Sequence, residues 1–362
     1  MKSEFEFIQS LRNRISKIRI SHSAFRIGVG DDCAVVPKDS KTDLVITTDL
    51  LVEDVDFRLK WTKPEFLGHK ALAISLSDVA AMGAKPVWAM LSIGVPEKIW
   101  KTDFTEKFYD GWFELAKKFN VQLAGGDVSK TPDKIVIDSI AAGEVKKGKA
   151  VLRSGAKPND LIFVTGNLGG ASAGLKLLES GEKFEKSKYK NLLLRQLKPE
   201  PRIKIGQILS KVNLATAMID LSDGLSSDLM HLCRESKTGA RIFAERIPTD
   251  KSLGRFLTQR RKDAKGDVEK EENKPQMNAS ERRLNVIANQ KRQIEDLFFA
   301  LHGGEDFELL FTVNPKKKFL LEKELRDFPF TCIGEITKTT DKFELISNSE
   351  TTILKPEGFR HF

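Results

Sequence analysis

Cysteine is scarce. The 362 residues contain three, Cys33, Cys233 and Cys332, far apart and odd in number. They form no C-x-x-C pair and no disulfide framework, which fits a reducing cytoplasm. The five histidines are equally scattered, so a zinc site is not expected. No apolar run reaches the ~18 to 20 residues needed to span a bilayer, and no membrane partner is expected. The opening MKSEFEFIQSLRNRISKIRI lacks a continuous apolar stretch and reads as an amphipathic helix rather than a signal peptide. No G-x-x-x-x-G-K-[ST] occurs, which excludes a Walker-type phosphate loop. GNLGGASAG, residues 166–174, lacks the G-x-G-x-x-G spacing and reads as a glycine turn between a strand and a helix.

What is present is a basic balance and a recurring acidic pattern. The formal net charge is +9, but residues 251–295 alone carry twelve Lys and Arg against seven Asp and Glu, a net +5. That stretch is polar, holds only Phe256 among aromatics, and reads as a flexible insertion. Nucleic-acid binding would need aromatics interleaved with the basic residues, so such a partner is disfavoured.

Along the chain, strand-like runs at 44–48, 89–95, 121–124 and 135–145 alternate with helical stretches at 66–82 and 103–119. The turn-rich SGAKPND at 154–160 marks a domain boundary near residue 150. Beyond it come strands at 161–165, 217–220, 307–313 and 331–336, and helices at 169–180, 199–210 and 224–235. Two α/β or α+β domains are expected, residues 1–149 and 150–362, with the basic insertion at about 250–295 inside the second.

The acidic residues recur in GVGDDC (28–33), TTD (47–49), LSDVAAMGA (76–84), AGGDVS (124–129), IDLSDG (219–224) and GGEDFE (303–308). Most sit where strands should end and turns begin. Singly, each has an ordinary explanation as an Asp-rich turn or a helix cap. Asp31 and Asp32 are adjacent, so only one of them is expected to face a ligand. Asp78 is sharper. It is the only acid in a helix suited to burial, on the stripe of Leu67, Ala71, Ile74 and Ala81. A buried carboxylate requires a Lys, an Arg or a metal as partner. Several acids converging would suit Mg²⁺, which usually arrives with substrate phosphates.

Taken together, GVGDDCAVV, TTDLLVEDVDF, KALAISLSDVAAMGAKP, LAGGDVS, LRSGAKPNDLIFVTG, IDLSDGLSSDL, GGEDFELLFTV and the terminal GFRHF resemble the thiamine-monophosphate kinases. These belong to the aminoimidazole-ribonucleotide-synthetase-like ATP-binding superfamily. The resemblance covers nearly the whole chain except residues 250–295. It implies a two-domain α/β fold whose N-terminal domain forms a dimeric β-barrel, a cytoplasmic homodimer, and transfer of the ATP γ-phosphoryl group to thiamine monophosphate in thiamine diphosphate biosynthesis. It assigns several Mg²⁺ ions to Asp32, Thr47, Thr48, Asp49, Asp78, Asp127, Asp220 and Asp223. ATP contacts fall to Tyr109, Gly126, Asp127, Arg153 and Ser222, and substrate contacts to Asp56, Glu305 and Phe359. No acid or base residue is implied, since an acceptor phosphate oxygen is already ionised. The chain departs from the family pattern VEGVHF by reading VEDVDF, with Asp54 for a glycine and Asp56 for a histidine. Relatives that make selenophosphate or mature hydrogenases carry reactive cysteines that have no counterpart here.

Overall fold

A computed structural model describes residues 4–15, 17, 24–254, 256–257 and 295–359. The expectation of a flexible loop at 250–295 therefore falls mostly outside the described residues. Its first turns belong to the fold: Leu253, Phe256 and Leu257 are buried against Leu177, Leu192 and Leu193.

In the first half, α1 (Glu4–Ile15) precedes β1 (Ala34–Pro37), β2 (Thr42–Val52), α2 (Pro64–Ala81) and β3 (Lys85–Pro96). Then follow α3 (Glu97–Trp100), α4 (Phe104–Phe119), β4 (Gln122–Thr131) and β5 (Val136–Lys146). The five strands form one sheet in the order β1-β2-β5-β3-β4, antiparallel except for the β3–β4 pair. The second half contains β6 (Leu161–Thr165), α5 (Gly170–Glu179), α6 (Lys190–Leu197), α7 (Ile203–Lys211), β7 (Ala215–Asp220) and α8 (Leu225–Glu235). It continues through β8 (Gly239–Phe243), β9 (Leu309–Val313), β10 (Phe330–Thr337), β11 (Phe343–Ser347) and β12 (Glu350–Ile353). These seven strands form a mixed sheet, β12-β11-β8-β10-β6-β9-β7, with only the β8–β11 pair parallel.

Helix α2 joins the two halves. Nearly every face of it is apolar and buried, because it packs on β2 and β5, against α4 and α7, and against β7 of the second sheet. Its crossing with α4 is close. A Cβ on Gly68 would lie 1.8 Å from the Phe108 carbonyl oxygen, and one on Gly111 would lie 1.8 Å from that of Glu65. One apolar cluster runs from Leu67, Leu72 and Trp112 to Phe163, Leu209 and Phe311, so the halves share a continuous core.

Three expectations about element ends need correction. TTD does not end its strand: β2 continues to Val52, because every residue from Thr42 to Val52 is in register with β5. AGGDVS likewise lies within β4 rather than after it, since β3 pairs with β4 from Gln122 to Thr131 across both glycines. Helix α7 starts at Ile203, not at Pro199. Pro201 pushes Glu200 out of helical geometry, and the helix begins only beyond it. Among the described residues, β1, β8, β11, β12 and α6 carried too little periodic signal to be anticipated.

Candidate active site

The β2–β5 register sorts the acidic segments by face. Asp49 stands opposite Ser139 and one residue from Thr48, so successive β2 side chains alternate. Thr47 and Asp49 face α2. The Thr47 hydroxyl donates to Asp78 Oδ2, and Ser75 Oγ donates to Asp49 Oδ2 at 2.7 Å. Thr48 faces the other way and donates to Asp138 Oδ1 at 2.6 Å. Asp127 shares that open face, because both Asp127 and Asp138 pair with Ser92. The structure thus separates three residues that the sequence reading grouped as ligands: Thr47 and Asp49 lie on one side, Thr48 on the other.

On the α2 side, three carboxylates from distant segments converge. Asp32, from the loop before β1, Asp78 of α2 and Asp220 at the end of β7 each offer a ligand atom, all within 4.8 Å of one another. Ser77 Oγ donates to Asp220 at 2.6 Å. Arg153 pairs with Asp32, its Nη2 and Nε 2.5 and 3.0 Å from Asp32 Oδ1. Asp31 accepts the Arg153 backbone N–H at 3.2 Å instead, so of the adjacent pair Asp32 enters the cluster.

The electrostatics follow from this crowding. Burial first, then the neighbouring Asp49, Asp220 and Asp32, push the Asp78 carboxyl well above the usual range. Burial and Asp32 raise Asp220 to about 7, and burial and Asp138 raise Asp49 to about 6. Burial also raises Asp32, although Arg153 opposes it. Asp32 Oδ2 is buried and receives no hydrogen bond. An orphaned carboxylate oxygen facing two further carboxylates, with one guanidinium nearby, fits a hard divalent cation of the magnesium type.

A second group gathers around GGEDFE. The Glu305 backbone N–H donates to the Ser222 carbonyl at 2.7 Å, and its carboxylate pairs with Lys70 at 2.6 Å and accepts from Gln196 Nε2. Behind it, Asp306 accepts the backbone N–H groups of Gly169 and Ala171 at 2.6 and 3.1 Å. Glu308 is buried between Arg202 and Arg195, with Thr165 donating at 2.6 Å. Burial would raise Glu308, but the two arginines outweigh it and hold its carboxyl below the usual range. The C-terminal segment closes this edge: Phe359 N donates to the Asp223 carbonyl at 3.1 Å, leaving its ring half exposed. Asp228 accepts the N–H groups of Asp223 and Gly224 at 3.2 and 3.0 Å and fixes that loop.

Other anticipated residues stand apart from the carboxylate cluster. Tyr109 lies on α4, half-buried and edge-on to Phe108. Gly126 and Asp127 lie on exposed β4. Asp56 turns back to accept the Val52 N–H at 2.7 Å. Asp54 has φ 72 and pairs with Lys134. That left-handed conformation explains why a glycine suits the position. The sequence reading missed Lys70, Asp138, Arg195, Gln196, Arg202 and Asp228. Lys70 and Asp228 had a signal, each being a charge inside an otherwise apolar helical stripe.

The architecture defines a class. Residues 30–145 match the family described as AIR synthase related protein, N-terminal domain, and residues 157–344 match its C-terminal domain. Hydrogenase maturation protein HypE shares the fold at TM-score 0.64 and 15% identity, covering 92% of this chain and 95% of that one.

Closer relatives narrow the class. The chain is 34% identical to the thiamine-monophosphate kinase of Bacillus subtilis over 99% of both chains. It is 36% identical to that of Escherichia coli K12, over 99% of this chain and 98% of the other. The structure of AaThiL complexed with AMPPCP and TMP matches at TM-score 0.77 and 29% identity, covering 99% of this chain and 97% of that one. The chain belongs to the thiamine-monophosphate kinase family.

Proposed function

We infer that this chain transfers the γ-phosphoryl group of ATP to the phosphate of thiamine monophosphate, forming thiamine diphosphate and ADP. The observation that carries the reading is the cluster of buried Asp32 and Asp220 with half-buried Asp78, drawn from both halves of a chain related to these kinases over nearly its full length. Two anions must meet in this reaction, and positioning with charge neutralisation matters more than covalent chemistry. Asp32, Asp78 and Asp220 would hold magnesium, with Thr47 bonded to Asp78 and Asp49 adding a further carboxylate beside it, and Thr48, Asp127 and Asp223 available to further ions. Bound magnesium would screen the phosphates of donor and acceptor as they approach.

The chain's own residues do the rest. Arg153, already oriented by Asp32, supplies a fixed guanidinium for ATP phosphate. Ser222, Gly126 and Tyr109 complete the proposed nucleotide contacts. Glu305 offers a carboxylate to the thiazolium cation, with Phe359 beside it. Asp56 remains a substrate candidate only by position, since it bonds to its own turn. The acceptor oxygen attacks the γ-phosphorus, the bond to the β-phosphate oxygen breaks, and no general base or phosphoenzyme is required.

The division at residue 149/150 is proposed on the two sheets, which end and begin on either side of it. A homodimer, with a barrel closed across two first sheets, is supported by β4. It is an edge strand exposed along almost its whole length, with Leu123 and Val128 in the open. A cytoplasmic location is supported by three unpaired cysteines.

The test is a product assay with thiamine monophosphate, ATP and magnesium. Thiamine diphosphate must form, and Asp78→Asn must abolish it.

A further inference from the structure

Lys70 has no part in the phosphoryl transfer as described so far. It lies on α2 and is only 5% exposed, yet it carries a charge. Its ammonium is 2.6 Å from Glu305 Oε1, while Gln196 Nε2 donates to Glu305 Oε2. Gln196 is itself buried, and its Oε1 has no partner. Glu305 is held at φ +64, in the left-handed region, by its N–H bond to Ser222. Side chain and backbone thus fix the carboxylate from both ends.

The position of Lys70 along α2 gives the pair a direction. Lys70 and Ser77 are seven residues apart and so share one helix face, with Ser77 about 10 Å further along the axis. Ser77 bonds Asp220 of the carboxylate cluster. One face of one helix therefore runs from the Lys70–Glu305 pair to the cluster where phosphoryl transfer is proposed. An acceptor with its cationic ring at Glu305 and its phosphate reaching toward the cluster must pass its phosphate near Lys70.

We propose that Lys70 and Glu305 form a preformed ion pair that the zwitterionic acceptor opens, its cationic ring taking Glu305 and its phosphate taking Lys70. This rests on the thiamine monophosphate kinase reading and adds a substrate-binding residue to it. Before substrate binds, each charge compensates the other, which a buried acid or base requires. A zwitterion replaces one ion pair with two, so neither protein charge is left without a counter-ion. A phosphate without a cation would strand Glu305, and a cation without a phosphate would strand Lys70. Specificity then arises from the penalty on half-matched ligands.

The test begins with wild-type protein and formation of thiamine diphosphate; failure there defeats the kinase reading itself. Given activity, binding of thiamine and of thiamine monophosphate is measured by calorimetry in EDTA, where magnesium cannot hold the phosphate. Wild type should prefer the monophosphate by about tenfold or more, as expected for a desolvated charge pair. Equal affinities overturn the proposal and need no variant. Lys70→Gln should then remove that preference, leave thiamine binding unchanged or tighter, and raise KM for thiamine monophosphate without a matching rise for ATP. Lys70→Arg should restore most of the preference. A parallel loss for both thiamine compounds, or a parallel rise in the KM for ATP, marks Lys70 as merely structural and refutes the idea.

Discussion

Asp78→Asn should leave the metal-free protein at least as stable as wild type while abolishing its activity. Asp32, Asp78 and Asp220 offer ligand atoms within 4.8 Å of one another. Two ionised carboxylates at that separation repel by about 3 kcal/mol at an effective dielectric of ~20. Asp78 has two such neighbours, but its raised pKa means that it relieves part of the strain by holding a proton. The amide resembles that protonated form and can still accept the Thr47 hydroxyl bond. The sign follows from proton uptake. A carboxyl whose folded pKa is raised binds more protons when folded, so wild-type stability falls as pH rises from the ordinary Asp range toward the folded value. The variant lacks this loss, so its advantage should be small in mild acid and reach about 1 to 3 kcal/mol in mild alkali. Urea unfolding in EDTA across that range measures it. Excess magnesium should reverse the order, because only wild type gains the binding energy of a complete site. Loss of more than about 1 kcal/mol by Asp78→Asn in EDTA, the ordinary result for a buried substitution, would refute the reasoning.

Three further outcomes follow from the structure. Glu308→Gln leaves Arg195 and Arg202 without their shared carboxylate and should cost about 3 to 5 kcal/mol at neutral pH by chemical denaturation. Because the folded Glu308 carboxyl is depressed, wild type should lose this advantage as pH falls from the ordinary Glu range through the folded value. Gly111→Ala places a Cβ against the Glu65 carbonyl and should cost at least about 1 to 3 kcal/mol by forcing α2 and α4 apart; an unchanged melting temperature would contradict the close crossing. Val128→Lys, on the exposed edge of β4, should convert the proposed dimer to monomer in light scattering, whereas a wild-type monomer would count against the dimer.

Much of the fold was legible because its strongest patterns are local. The strand LIFVT at Leu161–Thr165, the amphipathic run of α4 and the mostly apolar α2 each announce themselves within a single segment. Strand ends were less legible. Glycines at 125 and 126 argue locally for a turn, but pairing with β3 carries β4 through them. For the site, Asp78 was conspicuous because a lone acid in an apolar helix needs a partner. That Asp32 and Asp220 are its neighbours depends on how the two sheets meet across α2, which no local pattern contains. The face opposition of Thr47 and Thr48 follows from strand alternation once β2 is known to run past both. Lys70, Gln196 and Glu305 were illegible as a group, since their 2.6 Å ion pair and hydrogen bond join segments far apart in the chain.

The most direct test of the central claim is the rate of thiamine diphosphate and ADP formation from thiamine monophosphate and ATP, with magnesium and with EDTA, for wild type and Asp78→Asn. Stoichiometric formation of both products by wild type with magnesium, lost in EDTA and in the variant, is the predicted result. Wild-type protein that makes no thiamine diphosphate, or an Asp78→Asn variant that makes it at the wild-type rate, would contradict the assignment of phosphoryl transfer to this carboxylate cluster.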